Sequence, residues 1–163
     1  MQIRLAETAG FCFGVERAVA LAEQTARTCK NAVTLGPIIH NRHVVERFER
    51  LGLHEISSAE EAEPGQTVVI RAHGIPVSEQ RMLSARGAAA VDATCPFVKK
   101  IHVIAQKAER DGRSLLIIGT STHPEVAAIA SYSSDAHVFQ TAEALQAWLT
   151  ERPDRRDLPF CLV

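Results

Sequence analysis

Short apolar runs alternate with amphipathic stretches along the whole chain. Apolar residues recur at helical spacing between the runs, as at Val15, Ala18, Val19 and Ala22. Further helices are predicted over residues 44–51, ended by Gly52, between Pro76 and Gly87, over residues 98–108 and around residues 144–149. Seven runs are predicted to be strands: residues 3–6, 32–35, 67–70, 88–93, 114–119, 137–139 and 160–163. Strands that alternate with helices predict an α/β fold with mostly parallel sheets.

An internal repeat appears when the chain is compared with itself at an offset of 83 residues. Cys12 then coincides with Cys95, and His40 with His123, so that 28 residues separate the cysteine from the histidine in both copies. Each copy reads as strand, Cys, helix, strand, Gly-x-x-x-His, helix. The repeat predicts two related α/β units, residues 1–91 and residues 92–163.

The repeated cysteines and histidines all follow predicted strands and precede predicted helices. In a parallel sheet, the loops that follow the strands meet at the carboxyl edge, where ligands bind. His73 also follows a strand, in the stretch VVIRAHGIP. We therefore expect five residues to face one shared region: Cys12, His40, His73, Cys95 and His123.

Composition excludes several classes of function. Hydrophobic residues make up 46% of the 163 residues, charged residues 23%, and the net charge is −1, as in an ordinary soluble globular protein. A nucleic-acid partner is not expected, because no global basic surface is indicated. No run approaches the roughly 20 apolar residues of a membrane span, and the N-terminus lacks the pattern of a secretory signal. These features favour a cytoplasmic protein with no membrane partner.

Four widely separated cysteines leave several chemistries open. Cys29 and Cys161 are interpreted as small buried hydrophobes, and Cys12 taken alone fits that interpretation equally well. No C-x-x-C pair supports a zinc ribbon or a thioredoxin-like site. Thiolates suit soft metals and iron–sulfur clusters, and one thiolate from each unit fits a cluster at their junction. A stable cluster would need at least a third cysteine.

His40 and His123 stand where helices are predicted to begin. Helix N-termini and imidazolium groups favour phosphate or diphosphate, and the neighbouring Glu125 could deliver protons to a bound substrate. The simpler interpretation is that Pro124 merely starts a helix. Asn41 could bind the ligand or cap the helix that follows. The remaining histidines are expected at the surface or partly buried: His43, His54, His102 and His137.

Five motifs together closely resemble a known enzyme family. They are GFCFGVERAV, IIHNRHVV, RAHGIP, VDATCPFVKKIH and THPEV. The family is 4-hydroxy-3-methylbut-2-enyl diphosphate reductase, which catalyses the last step of the non-mevalonate isoprenoid pathway. The resemblance implies a trefoil of three α/β units around a [4Fe–4S] cluster held by three cysteines. It also implies reduction of an allylic diphosphate to isopentenyl and dimethylallyl diphosphate, with electrons from an external donor such as ferredoxin or flavodoxin.

The same resemblance implies roles for six residues. Cys12 and Cys95 match two of the cluster ligands. Three histidines match residues that line the site and bind the diphosphate: His40, His73 and His123. His123 and Glu125 are assigned to catalysis, with Glu125 as the carboxylate that delivers a proton near the substrate hydroxyl.

The chain also departs from the family pattern. Family members are much longer and carry a third unit with the third cluster cysteine, which nothing in this sequence matches. We therefore expect a fragment of a three-unit trefoil, with little or no reductase activity alone. The alternative is a non-catalytic phosphate-binding, diphosphate-binding or interaction module that has lost the cluster.

Overall fold

The computed structural model describes residues 2–7 and 9–163, and within them helices alternate with strands as predicted. The helices are α1 (Phe13–Thr28), α2 (Arg42–Arg50), α3 (Val77–Ala85), α4 (Pro96–Arg110), α5 (Pro124–Ala130) and α6 (Ala142–Glu151). The strands are β1 (Ala32–Leu35), β2 (His54–Ile56), β3 (Thr67–Ile70), β4 (Ala89–Asp92), β5 (Ser114–Ile118), β6 (Ala136–Phe139) and β7 (Phe160–Leu162). Two short 3-10 helices cover Ala59–Glu61 and Pro153–Asp157.

The strands form two sheets, ordered β2-β1-β3-β4 and β6-β5-β7. Every strand pairing in the described residues is parallel, which confirms the α/β fold with parallel sheets. Val33 of β1, for example, lies beside His54 on one side and Val68 on the other. All four residues of β1 are buried, as parallel strands covered on both faces require.

The sequence repeat corresponds to a repeat in topology. In each sheet the first strand of the unit lies between the two that follow it, giving the orders β2-β1-β3 and β6-β5-β7. β7 begins at Phe160 and β3 at Thr67, so this pair is offset by 93 residues rather than 83. The unit boundary after residue 91 stays a prediction, and residues 1 and 8 of that first unit lie outside the described residues.

Each sheet is covered by helices that present small or branched side chains. Ala18 and Ala22 of α1 are fully buried against the first sheet, in a cluster that also contains Phe48 and Val69. Ala105, Ala108, Leu115 and Ile117 form the core of the second sheet. Cys29 and Cys161 were expected to be small buried hydrophobes; they pack against these clusters but are only partly buried.

Residues 3–6 do not form the predicted strand. Ile3 and Leu5 are 80% and 86% exposed, and the segment pairs with no strand among the described residues. An alternating pattern forms a strand only when a neighbour pairs its backbone and a core covers its apolar face, and here neither is present. Conversely, the short edge strand β2 was not predicted. Its residues His54 and Glu55 are polar and gave no strand pattern.

Asn41 caps α2. Its side-chain oxygen accepts a hydrogen bond from the backbone N–H of Val44 at 3.2 Å. Asn41 therefore satisfies a helix donor, which favours the capping interpretation over direct ligand binding.

We expect Asn41→Ala to lower the free energy of unfolding by about 1 kcal/mol, because one donor at the start of α2 loses its partner. Asn41→Ser, which keeps an acceptor oxygen, should retain most of that stability. Urea denaturation followed by circular dichroism measures both variants. Equal stability of the alanine and serine variants would contradict a capping role.

Candidate functional site

The loops that follow β1, β3 and β4 are joined to one another by backbone hydrogen bonds. The N–H of Ala72 donates to the carbonyl of Ile38 at 3.2 Å, and the N–H of Cys95 donates to the carbonyl of Ala72 at 2.9 Å. The loops thus continue the sheet past its carboxyl edge. Cys95 is thereby fixed beside the loop that carries His73.

Three histidines meet at this edge. The rings of His40 and His73 stack with centroids 5.4 Å apart, and His123 meets His73 edge-on at 5.7 Å. His40 and His123 are exposed, whereas His73 is half-buried between them. The structure therefore brings together the three histidines expected from the sequence, two from the first unit and one from the second.

His73 is held in its neutral form. Burial lowers the pKa of His73 below 6.5, and the nearby His40, His123 and Arg71 lower it further. Its ring Nδ1 is buried and has no hydrogen-bond partner among the described residues. An anion bound near these rings would favour their charged forms, because opposite charge stabilises imidazolium.

His123 occupies the N-cap position of α5. Its Nδ1 accepts a hydrogen bond from the backbone N–H of Glu125 at 3.3 Å. In a neutral imidazole the proton then lies on Nε2, which leaves that atom as a donor for a ligand. The half-buried Glu125 lies in the first turn of the same helix. Because α5 has only seven residues, we assign anion binding to the imidazoles rather than to its helix dipole.

The two repeated cysteines occupy equivalent places in the two units. Cys12 is the N-cap residue of α1 and Cys95 that of α4, and neither side chain caps its helix. Both thiols are free. The Sγ of Cys95 rests directly against Gly14, and a Cβ at position 14 would overlap that sulfur. Gly14 therefore lets the Cys95 sulfur approach the first turn of α1, two residues after Cys12.

Arg17 reinforces this contact between the units. Its guanidinium donates to the carbonyl of Thr94 at 3.2 Å and lies 3.5 Å from the carbonyl of Asp92. Both Gly14 and Arg17 lie in the stretch GFCFGVERAV, but the sequence alone assigned neither of them a role. A glycine in the first turn of a helix, where it disfavours helix formation, was the signal that could have identified Gly14.

The two thiols do not by themselves complete a metal site. No group of three or more His, Cys, Asp or Glu side chains is placed to hold a metal ion in residues 2–7 and 9–163. The same part of the chain contains no helix both long enough and apolar enough to cross a membrane.

A comparison with known families assigns the chain. The model of the family described as LytB protein matches residues 3–161. The chain belongs to the LytB family.

Three curated relatives are named 4-hydroxy-3-methylbut-2-enyl diphosphate reductase. The protein from Nitratidesulfovibrio vulgaris is 45% identical over all of this chain and 57% of its own length. Those from Solidesulfovibrio magneticus and Aquifex aeolicus are each 44% identical, over 90% and 81% of this chain and 54% and 46% of their own lengths.

Two solved structures share the fold of this LytB-family chain. One is a structure of (E)-4-hydroxy-3-methyl-but-2-enyl diphosphate reductase, with 40% identity and a TM-score of 0.77 over 91% of this chain and 54% of that one. The other is the reductase from Plasmodium falciparum, with 26% identity and a TM-score of 0.80 over 86% of this chain and 45% of that one. The chain spans about half the length of the curated relatives it matches.

The free energy of unfolding should fall as the pH drops below about 6.5. Burial is the leading cause that lowers the pKa of both His73 and His102, so in this range the unfolded chain binds more protons than the native chain. Carboxylates with lowered pKa, such as Asp92, titrate further into acid and do not set this slope.

Urea denaturation at a series of pH values measures this dependence. His73→Gln should flatten part of the slope, whereas His43→Gln, a change at an exposed helix position, should leave it unaltered. A stability that is constant or rising from neutral pH down to pH 5 would show that His73 and His102 are not held neutral by the fold.

Proposed function

We propose that this chain forms part of a 4-hydroxy-3-methylbut-2-enyl diphosphate reductase and supplies half of its active site. One observation carries the proposal. The Sγ of Cys95 lies against Gly14, two residues after Cys12, and the N–H of Cys95 is bonded to the loop of His73, whose ring meets those of His40 and His123. This arrangement combines soft sulfur ligands with anion-binding groups.

The donor chemistry fits a [4Fe–4S] cluster held in part by Cys12 and Cys95. Both sulfurs are free, and neither is occupied in capping its helix. Thiolates are the ligands that such clusters prefer, and helix N-termini favour negative charge. When bound, the cluster would supply the electrons that reduce the substrate. The third thiolate that the family resemblance implies is matched by neither Cys29 nor Cys161, so it would come from outside this chain.

The histidines have the properties of a diphosphate site. His123 offers the Nε2 proton, since its Nδ1 is occupied by the backbone of Glu125. His40 presents an exposed ring, and His73 lies between the two. A bound diphosphate would raise the charged fraction of all three rings and receive charge-assisted hydrogen bonds.

Glu125 is the proposed proton donor. It lies next to His123 and is half-buried, so it can approach the far end of a substrate whose diphosphate is held by the histidines. The substrate loses its hydroxyl group, and a carbon–hydrogen bond replaces the carbon–oxygen bond. The net change consumes two electrons and two protons and releases water, with Glu125 protonating the departing oxygen. An external carrier such as ferredoxin or flavodoxin would supply the electrons, in the cytoplasm.

Anaerobic reconstitution with iron and sulfide tests the cluster ligands. The chain should become brown and bleach in air, and Cys12→Ser or Cys95→Ser should each lose most of the bound iron. Gly14→Ala should lose iron as well, because its methyl group displaces the Cys95 sulfur. Cys29→Ser and Cys161→Ser are the matched controls, and their iron content should equal that of the unmodified chain.

We further propose that this chain alone turns over little or no substrate, because two thiolates hold a cluster weakly. A full iron complement together with normal turnover would contradict this proposal. Retention of iron in Cys12→Ser would contradict the ligand assignment.

The alternative, a non-catalytic anion-binding module, rests on the array of three neighbouring imidazoles alone. It predicts a colourless protein whose diphosphate binding does not respond to iron loading. The reductase proposal predicts iron binding that depends on Cys12 and Cys95.

Inorganic pyrophosphate should bind to the chain, and His40→Ala or His123→Ala should each weaken binding by about tenfold, the loss expected for one charge-assisted hydrogen bond. Binding should strengthen as the pH falls toward 6, because protonated imidazoles attract the anion. Isothermal titration calorimetry measures both effects, with His54→Ala, an exposed residue of β2, as the control. Unchanged affinity in the His40 and His123 variants would remove the diphosphate site from both proposals.

A further inference from the structure

His102 lies in the second unit but packs against the first. It belongs to α4 and is only 5% exposed, contrary to the expected surface or partly buried position. Its Nε2 is buried and has no hydrogen-bond partner among the described residues. The centroid of its ring lies 4.7 Å from the ring centroid of Tyr132. His102 is therefore held in place by packing against its neighbours, because its buried Nε2 makes no hydrogen bond to any described residue.

The surface that His102 touches is the backbone of the loop that bears His73. Gly74 has a φ of +76°, and a Cβ there would lie 2.6 Å from Cε1 of His102 and 3.3 Å from a methyl group of Thr94. The loop therefore runs directly across the imidazole ring. His102 therefore packs directly against the residue that immediately follows His73.

Tyr132 continues this contact on the side of α5. Its hydroxyl accepts a hydrogen bond from Nε2 of Gln80 at 2.7 Å, and the same nitrogen donates to the carbonyl of Ile75 at 3.3 Å. The preceding residue, Ser131, accepts from the N–H of Val77 at 3.0 Å. The C-terminal end of α5 is thus bound to the segment that follows His73.

The two elements joined in this way carry histidines of the proposed diphosphate site. His73 precedes the contacted loop residues Gly74 and Ile75, and His123 caps the other end of α5. We propose that Gln80, His102 and Tyr132 form an inter-unit latch, in which they act as positioning residues that set the spacing between His73 and His123. This inference rests on the proposed function, since it concerns the same site.

A cavity of about 520 Å³ borders all three latch residues. Because space adjoins them, truncating one latch residue leaves its partners room to move instead of a tightly packed core that holds them. We therefore expect the spacing of His73 and His123 to depend on a few specific contacts. The chief ones are the ring contact between His102 and Tyr132, with centroids 4.7 Å apart, and the 2.7 Å hydrogen bond from Gln80 to the Tyr132 hydroxyl.

His102→Ala in this chain tests the latch with two readouts. The first is the pKa of His73 measured by NMR of the ring, without ligand. It should rise toward its ordinary value, because burial and the nearby His40 and His123 lower it in the intact site. The second is pyrophosphate affinity, which should fall about three- to tenfold as the rings lose their alignment. His43→Ala, at an exposed position of α2, is the matched control and should change neither readout.

Two further variants keep the test decisive if His102→Ala fails to fold. Tyr132→Phe removes only the hydroxyl that Gln80 contacts, and it should shift the His73 titration in the same direction by a smaller amount. Gly74→Ala should disturb the site through its collision with His102. Adding His102→Ala to Gly74→Ala should then recover part of the pyrophosphate affinity, a coupling that a purely local effect of alanine at a positive φ does not give.

A folded His102→Ala or Tyr132→Phe chain with the His73 titration and pyrophosphate affinity of the unmodified protein would overturn the latch. So would a Gly74→Ala defect that is the same with and without His102. Failure of the unmodified chain to bind pyrophosphate would instead refute the diphosphate site, and the ligand-free His73 titration would still decide the latch.

Discussion

The hydrogen bond from the N–H of Cys95 to the carbonyl of Ala72 is the interaction on which the site depends. It places Cys95, the N-cap residue of helix α4, against the loop that carries His73. The N–H of Ala72 in turn donates to the carbonyl of Ile38, which joins this loop to the loop that carries His40. Because these are backbone bonds, the two units are aligned irrespective of most side chains, and Arg17 and Gly14 then adjust the approach of the sulfur.

The site combines opposite electrostatic requirements on one edge. Burial, together with the nearby His40, His123 and Arg71, lowers the pKa of His73 and so disfavours its charged form. In the proposed function, a bound diphosphate would reverse that balance by favouring the protonated rings. The proposed latch bears on this site because it would keep the rings of His73 and His123 close together.

The sequence was sufficient for the features that depend on local pattern or on the repeat. Helices with regular apolar faces and six of the seven predicted strands were correct, and the histidines expected at one edge, His40, His73 and His123, do meet there. That Cys12 and Cys95 join them stays a prediction. Sequence reasoning failed where the outcome depends on distant partners: residues 3–6 alternate like a strand but have no neighbour, and β2 is a strand only because β1 pairs with it. His102, Gly14 and Gln80 were missed because each acts through a residue far away in sequence.

The half-site proposed for this chain requires that Cys12 and Cys95 lie close together. In a chain carrying Cys29→Ser and Cys161→Ser, a short bismaleimide cross-linker should join Cys12 to Cys95 within one molecule, and peptide mass spectrometry should find that single bridge. Gly14→Ala should reduce its yield, because the methyl group pushes the Cys95 sulfur away. Two separately modified thiols with no intramolecular bridge would contradict the shared edge and, with it, the half-site proposed for this chain.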